Sequence, residues 1–309
     1  MIPTPSLPAR PSSPTQRPPY RQRKLGGILA AFAIALCTPA LAHASYAERE
    51  DARAFAAEIA SRHALDAGEI ERALAGARHD PEVIRLITPP SRKGVRSWRS
   101  YRARFLDRTR IDGGMRFWHE HADTLERAER ETGVPAEVIV AIIGVETIYG
   151  RNTGNFETLS TLATLAFDYP PRAELFRREL EALFLLAREQ GRDPASYYGS
   201  FAGALGYPQF LPSSMRAYAV DFDRNGAIDF DGDPVDAIGS VANYLRAHGW
   251  QAGAPVAERA RLSPATDAAG LVAAGIEPTL APALLADNGI TTADGRPVAA
   301  AAPLVDLAT

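Results

Sequence analysis

Glu146 is the residue of this sequence best placed to move a proton. It follows eight apolar positions, Val138-Ile139-Val140-Ala141-Ile142-Ile143-Gly144-Val145. Thr132-Gly133-Val134-Pro135 opens that stretch as a helix, with Pro135 where a missing N–H is harmless and Glu137 at the positive end. A helix that is apolar on every side belongs in a protein interior. A carboxyl group there is costly to ionise, so its pKa should rise. A carboxylic acid still protonated near neutral pH suits the cleavage of a glycosidic bond, because the leaving oxygen must receive a proton. The competing reading is a last-turn glutamate that reaches water or pairs with Arg151.

A second pattern is Asp221-Phe222-Asp223-Arg224-Asn225-Gly226-Ala227-Ile228-Asp229. Oxygen ligands at alternate positions, Gly at the sixth for a sharp turn and Ile at the eighth follow the EF-hand rhythm, which binds calcium. Asp221, Asp223, Asn225 and the Ala227 carbonyl are the candidate ligands, with Asp229 acting through water. The usual closing Glu at position twelve is replaced by Gly232; an Asp-rich turn without an ion is the alternative. His119-Glu120-His121 does not make a zinc site, since residues two apart do not share a helix face and no third ligand accompanies them.

The elements that must position these groups are mostly helical. Between residues 45 and 131, Phe55, Ile59 and Leu65, then Ile70 and Leu74, then Phe105, and finally Phe117, Leu125 and Ala128 recur at spacings of three, four and seven. Thr88-Pro89-Pro90-Ser91 interrupts them, and a basic aromatic stretch carries Trp98 and Tyr101. An amphipathic helix is expected over residues 172–188, a Gly- and Pro-rich loop over 199–212, and a further helix over 236–248 that Gly249 stops. Beyond residue 253 the chain turns to Ala, Pro and Gly with short helical pieces.

The beginning of the chain is different. A Pro-rich leader, a basic cluster at residues 21–24 and an apolar run from 25 to 36 end in Ala40-Leu41-Ala42 and Ala42-His43-Ala44, the order of a cleaved secretory signal. An uncleaved anchor is the alternative; lipidation of Cys37, the only cysteine, is disfavoured by Leu36 before it. Cleavage near Ala42 or Ala44 leaves a mature chain without thiol or disulfide. It also takes the 34 basic residues to 29 against 37 acidic. So acidic a protein lacks the electrostatic footprint for nucleic acid or anionic lipid. What remains is long enough for one large domain or two intimate ones.

The segment Gly144-Val145-Glu146-Thr147-Ile148-Tyr149-Gly150-Arg151-Asn152-Thr153-Gly154 resembles the catalytic signature of the lytic murein transglycosylase B family. Further motifs follow in the family's order: Thr158-Leu159-Ser160-Thr161-Leu162-Ala163-Thr164-Leu165-Ala166, Glu179-Leu180-Glu181-Ala182-Leu183, residues 200–214 around Gly206-Tyr207-Pro208-Gln209-Phe210, and Asp233-Pro234-Val235-Asp236-Ala237-Ile238 continuing to Tyr244. The likeness runs from about residue 97 to residue 250. It implies a mainly α protein in which a signal segment (1–44) precedes an N-terminal helical region (45–130), a lysozyme-like catalytic core (131–250) with an EF-hand-like loop (221–236), and a C-terminal region (251–309).

The implied reaction is non-hydrolytic cleavage of the β-1,4 bond between N-acetylmuramic acid and N-acetylglucosamine in peptidoglycan. Glu146 matches the single catalytic acid and base, which explains why no second carboxylate flanks it as in ordinary glycosidases; Glu157 reads as a surface or capping residue. Ser200 and Gln209 match groove positions, where a hydroxyl and an amide can meet N-acetyl and hydroxyl groups. Tyr101 and Tyr244 match groove aromatics, although from the residues alone either reads as core. Arg172 matches a position that meets the acidic stem peptide, with Pro171 where the family often has a second arginine. The resemblance also makes Asp236 the closing calcium ligand of a longer loop, in a structural role. No cofactor is expected for catalysis.

The aromatic-rich C-terminal segment with an Arg-Tyr-Asn core that family members usually carry is absent before Thr309. Residues 251–309 thus read as truncated relative to the family, while the signal and the motifs make the chain a periplasmic, monomeric enzyme acting on glycan strands, with other cell-wall enzymes as potential partners. A water-using muramidase and a non-catalytic wall-binding protein are the alternatives.

Overall fold

The computed structural model describes residues 45–90 and 97–305; the expected signal segment, residues 1–44, lies outside them. Among the described residues the chain is mainly helical, as expected, with two antiparallel strand pairs of two and three residues that the sequence pattern did not reveal.

A short 3-10 turn (Tyr46–Glu48) leads into α1 (Glu50–His63), α2 (Ala67–Gly76) and α3 (Pro81–Ile87). Their ends follow from local chemistry. Glu50 and Asp51 open α1 and Arg62 and His63 close it, each charge complementing the helix dipole. Asp66 caps α2 by accepting the Glu69 N–H, and Asp80 caps α3 ahead of Pro81. The next helices are α4 (Trp98–Arg102), α5 (Arg108–Glu120), α6 (Ala122–Thr132) and α7 (Ala136–Thr147). Strand β1 (Phe156–Glu157) precedes α8 (Thr158–Asp168) and α9 (Ala173–Gln190), and β2 (Tyr198–Gly199) pairs with β1. After them come α10 (Pro212–Tyr218) and α11 (Pro234–Ala247). The chain finishes with β3 (Ala260–Leu262), α12 (Ala268–Ala273), α13 (Pro282–Asp287) and β4 (Ile290–Thr292), gathered on a small cluster of Leu280, Leu285 and Ile290.

Two cores carry the site. In the larger, Phe55, Ile59, Ile70, Leu74 and Val83 of α1 to α3 pack with α8 and with Phe176, Leu180 and Leu183 of α9. Each such fully buried side chain contributes roughly 1.5–3 kcal/mol. Every residue of α8 from 158 to 167 is buried, and two of its hydroxyls serve neighbouring backbone. Thr164 accepts the Asp80 N–H and Ser160 the Arg78 N–H. The second core joins Phe117, Leu125 and Ala128 to Ile139, Val140 and Ile143 of α7 and to Ile238, Val241 and Ala242 of α11.

Two helix expectations need adjustment. The helix expected over 172–188 is α9: Arg172 belongs to the preceding 3-10 turn, and the helix runs on until Gly191 takes a left-handed conformation, φ 63°. The helix expected over 236–248 begins two residues earlier, because Asp233 caps it by accepting the Val235 N–H and Pro234 fits its first turn. Among the described residues, no helix is long and apolar enough to cross a membrane.

Candidate active site

The expectation that α7 is buried on every face is corrected. Helices α5, α6 and α11 pack around it, but Glu137, Ala141 and Val145, spaced by four and so aligned on one face, are exposed. Val145 is 42% exposed, and Glu146 beside it also faces outward. Glu146 does not pair with Arg151. Enough protein still surrounds its carboxyl group for burial to raise its pKa, and no hydrogen bond or opposite charge among the described residues counters that shift.

The backbone after Glu146 is unusual. Ile148, Tyr149 and Gly150 are all left-handed, with φ of 53°, 58° and 82°. For a β-branched residue such as Ile148 this conformation is a genuine outlier, costing about 1–2 kcal/mol. It ends α7 in a Schellman-like turn, the Ile148 N–H bonding to Gly144 O and the Tyr149 N–H to Ile143 O.

Tyr149 shows what supports that strain. Its ring fills a slot left by Gly113 and Gly114 of α5 and Gly144 of α7, where an added Cβ would come within 2.9, 2.5 and 2.4 Å of it. Its hydroxyl donates to Arg110 O at 3.1 Å. The Arg110 side chain in turn donates to Gly144 O at 3.2 Å, two residues before Glu146. Sequence reasoning missed Arg110, Tyr149 and the glycine pair. Two adjacent glycines inside a helix, each unfavourable there by about 0.5–1 kcal/mol, were the available signal.

The segment after Glu146 meets the two loop residues expected beside it. Gly154 lies against Gly199 and Ser200, with an added Cβ only 2.0 Å from Gly199 O. Ser200 Oγ accepts the N–H groups of Ala202 and Ala204 at 3.3 and 3.1 Å, which shapes its loop and leaves the hydroxyl proton to donate elsewhere. Gln209, at φ 52°, donates through Nε2 to Thr153 O and Gly206 O, both at 3.0 Å. Both amide hydrogens are then used within the protein, so its carbonyl oxygen is the atom left to meet a ligand.

The other expected site residues stand further out. Tyr244 is half-buried, not a core residue, with its ring 5.3 Å from Phe210 and stacked 4.1 Å from His248. Tyr101 is 55% exposed, again not core, and its ring stands 5.1 Å from Phe105. Phe105 lies under the Arg110 guanidinium, which ties this aromatic group to α7. Arg172 is exposed over the Phe176 ring on α9, apart from these contacts. Glu157 accepts a hydrogen bond from Ser160 at the head of α8. His119 is exposed and His121 half-buried, and among the described residues neither belongs to a group able to hold a metal.

In the Asp-rich loop, one carboxylate oxygen from each of Asp221, Asp223 and Asp236 lies within 4.8 Å of the other two. Asp236 is buried and accepts the Phe222 and Asp229 N–H groups at 2.7 and 2.9 Å. Asn225 bends back, its amide donating to Asp223 and its oxygen accepting the Ala227 N–H. Asp229 accepts the N–H groups of Asp231 and Gly232. This loop also braces the one carrying Gln209: Tyr207 N–H donates to Phe230 O at 3.0 Å, and Gly206 lies against the Phe230 backbone.

Comparisons with known proteins agree with this architecture. The family model described as transglycosylase SLT domain matches residues 47–308. The chain is 44% identical over 221 residues to the membrane-bound lytic murein transglycosylase B of Escherichia coli (strain K12), which covers 69% of this chain and 61% of that relative's length. Among solved structures, the soluble lytic transglycosylase SltB1 from Pseudomonas aeruginosa superposes with a TM-score of 0.74 at 45% identity, covering 79% of this chain and 82% of that one. The Escherichia coli lytic transglycosylase Slt35 in complex with calcium gives a TM-score of 0.71 at 42% identity, covering 80% and 77%. The helical fold, the glycine-lined turn after Glu146 and these matches together place the chain in the transglycosylase SLT domain family, among the lytic murein transglycosylase B proteins its motifs resemble.

Proposed function

We propose that this chain is a peptidoglycan lytic transglycosylase in which Glu146 is the sole catalytic acid and base. The observation that carries this reading is a carboxyl group without a partner among the described residues, kept partly out of water beside the left-handed turn that ends α7. Such a group holds its proton above the usual range for glutamate and can give it to a substrate oxygen. Glu146 protonates the glycosidic oxygen as the bond to the muramoyl C1 breaks. The resulting carboxylate takes the proton of the muramoyl C6 hydroxyl, whose oxygen bonds to C1. The acid is restored, no water is consumed, and the product carries a 1,6-anhydro end.

Around that chemistry, the Ser200 hydroxyl and the Gln209 carbonyl oxygen orient the sugars, Tyr101 and Tyr244 offer ring faces to them, and Arg172 meets a peptide carboxylate. The convergence of three carboxylates in the loop at Asp221, Asp223 and Asp236 fits a divalent cation. Calcium held there, with the Asn225 oxygen and the Ala227 carbonyl completing the donors, would neutralise their mutual repulsion and stiffen the loop that braces Gln209. The solved relative bound to calcium supports this reading. The peptidoglycan substrate and the signal-like N-terminus fit action in the periplasm.

Mass spectrometry of purified sacculi digested by the protein and by Glu146→Gln tests the proposal. Anhydro-ended fragments with the parent and none with the variant are expected. Reducing ends, one water heavier, would assign a hydrolytic muramidase instead, and binding without release would assign a non-catalytic protein.

A further inference from the structure

Thr147, the residue after the acid, is fully buried, and its one hydroxyl makes contacts with three segments. Oγ1 lies 3.0 Å from Tyr207 O and accepts the Gly150 N–H at 3.0 Å. Ile143 O, one turn back, is 3.3 Å away. A hydroxyl has one hydrogen to give, and the shorter contact directs it mainly to Tyr207 O. A single oxygen thus joins the end of α7, the left-handed turn of residues 148–150 and the loop of residues 205–210.

Two neighbouring features reinforce that joint. Gly150 lies so close to Tyr207 that an added Cβ would stand 2.3 Å from its ring, and Gln209 makes a second link between the same segments through Thr153 O. Successive residues of a helix point about 100° apart, so Thr147 can face inward while Glu146 faces out. We infer that Thr147 is a positioning residue, whose hydroxyl fixes the last turn of α7 and thereby the place of the Glu146 carboxyl group. This rests on the reading of Glu146 as the acid.

The role follows from the kind of backbone involved. Three consecutive left-handed residues persist only where surroundings over-determine them, and here the Gly150 N–H and the Tyr207 C=O both depend on the same hydroxyl. Without it the turn loses its direct tie to the loop of residues 205–210, keeping only the supports from Tyr149, Arg110 and Gln209, and the carboxyl at its edge shifts toward water.

The test compares Thr147→Val, which keeps the shape and loses the hydroxyl, with Thr147→Ser, which keeps the hydroxyl. Turnover is measured on soluble glycan strands from purified sacculi, well below the melting temperature of each variant. Thr147→Val is expected to lower kcat by about 10–100-fold with KM within about threefold, the size of loss an ångström of misplacement causes. Its alkaline limb of kcat should move to lower pH as Glu146 becomes better solvated, and Thr147→Ser should restore both. Should Thr147→Val not fold, Thr147→Ala is read in the same way. If neither folds while Thr147→Ser does, the hydroxyl serves stability alone and the positioning role is overturned.

A Thr147→Val enzyme with kcat within about twofold of the parent, or a Thr147→Ser enzyme no better than the valine form, also overturns it. Glu146→Gln, run alongside, separates the two claims. An active Glu146→Gln removes the acid assignment and the positioning role together, whereas an inactive one beside a fully active Thr147→Val removes the positioning role only.

Discussion

Asp168, at the end of α8, and Glu146, at the end of α7, are carboxyl groups that the fold treats in opposite ways. Asp168 accepts hydrogen bonds from Tyr46 Oη at 2.6 Å and His79 Nδ1 at 2.9 Å, and pairs with Arg49. Burial by itself would raise its pKa, but those partners outweigh burial and hold it below the usual range for aspartate. Glu146 is exposed, yet enough protein lies around its carboxyl group for partial desolvation to raise its pKa, and no partner among the described residues offsets that. A carboxylate surrounded by donors locks the first turn of the described chain onto α8. A carboxyl group left without them keeps a proton to give away. Exposure alone does not separate structural from catalytic acids; the supply of donors does.

The sharpest way to break this contrast is to remove each carboxylate in turn. Glu146→Gln should cut kcat by about 10³-fold, within the range general acid–base groups contribute, and leave the melting temperature almost unchanged. Asp168→Asn should do the reverse, costing about 2–3 kcal/mol because charged donors are left facing a neutral amide, with kcat unaltered at temperatures where the variant is folded. The sign of its pH dependence follows from the depressed pKa. The stability Asp168 contributes is present above the ordinary aspartate value of about 3.9 and is lost as pH falls through its lower folded value. Asp168→Asn should therefore show a shallower acid unfolding curve than the parent.

Two smaller effects sharpen the comparison. Gly144→Ala pushes a methyl to 2.4 Å from the Tyr149 hydroxyl; overpacking of this kind costs roughly 1–3 kcal/mol, and here turnover should fall with stability because the displaced turn carries Glu146. Asp236 is an intermediate case, supplied with backbone donors yet facing Asp221 and Asp223. Removing calcium with a chelator should lower the melting temperature, and restoring it to tenfold above its Kd should return about 1.4 kcal/mol. Asp236→Asn should abolish that response.

Much of this was legible in the sequence, for reasons that differ by residue. Periodic apolar positions pointed to the helices around α1 and α2 and to α9 and α11, because burial of one face is a local demand. The alternating oxygens pointed to the clustered carboxylates of Asp221 and Asp223, and the long apolar run singled out Glu146 but wrongly implied that its surroundings are buried. The open face of α7 was not readable, since the sequence says which residues could be buried but not how many neighbouring helices arrive to cover them. Nor were the left-handed Ile148 and Tyr149, which carry side chains that ordinarily avoid that conformation. They are held by Arg110, Gly113, Gly114 and Tyr207, distant partners that only the fold brings near.

Glu146 itself can be titrated by carboxyl-carbon NMR and the result set beside the pH dependence of kcat/KM on glycan strands. The expected midpoint lies above the ordinary glutamate value of about 4.3 and coincides with the alkaline fall in kcat/KM, since a deprotonated Glu146 has nothing to give the leaving oxygen. A midpoint at or below 4.3, or an alkaline limb that survives unchanged in Glu146→Gln, would contradict the assignment of this carboxyl group as the acid.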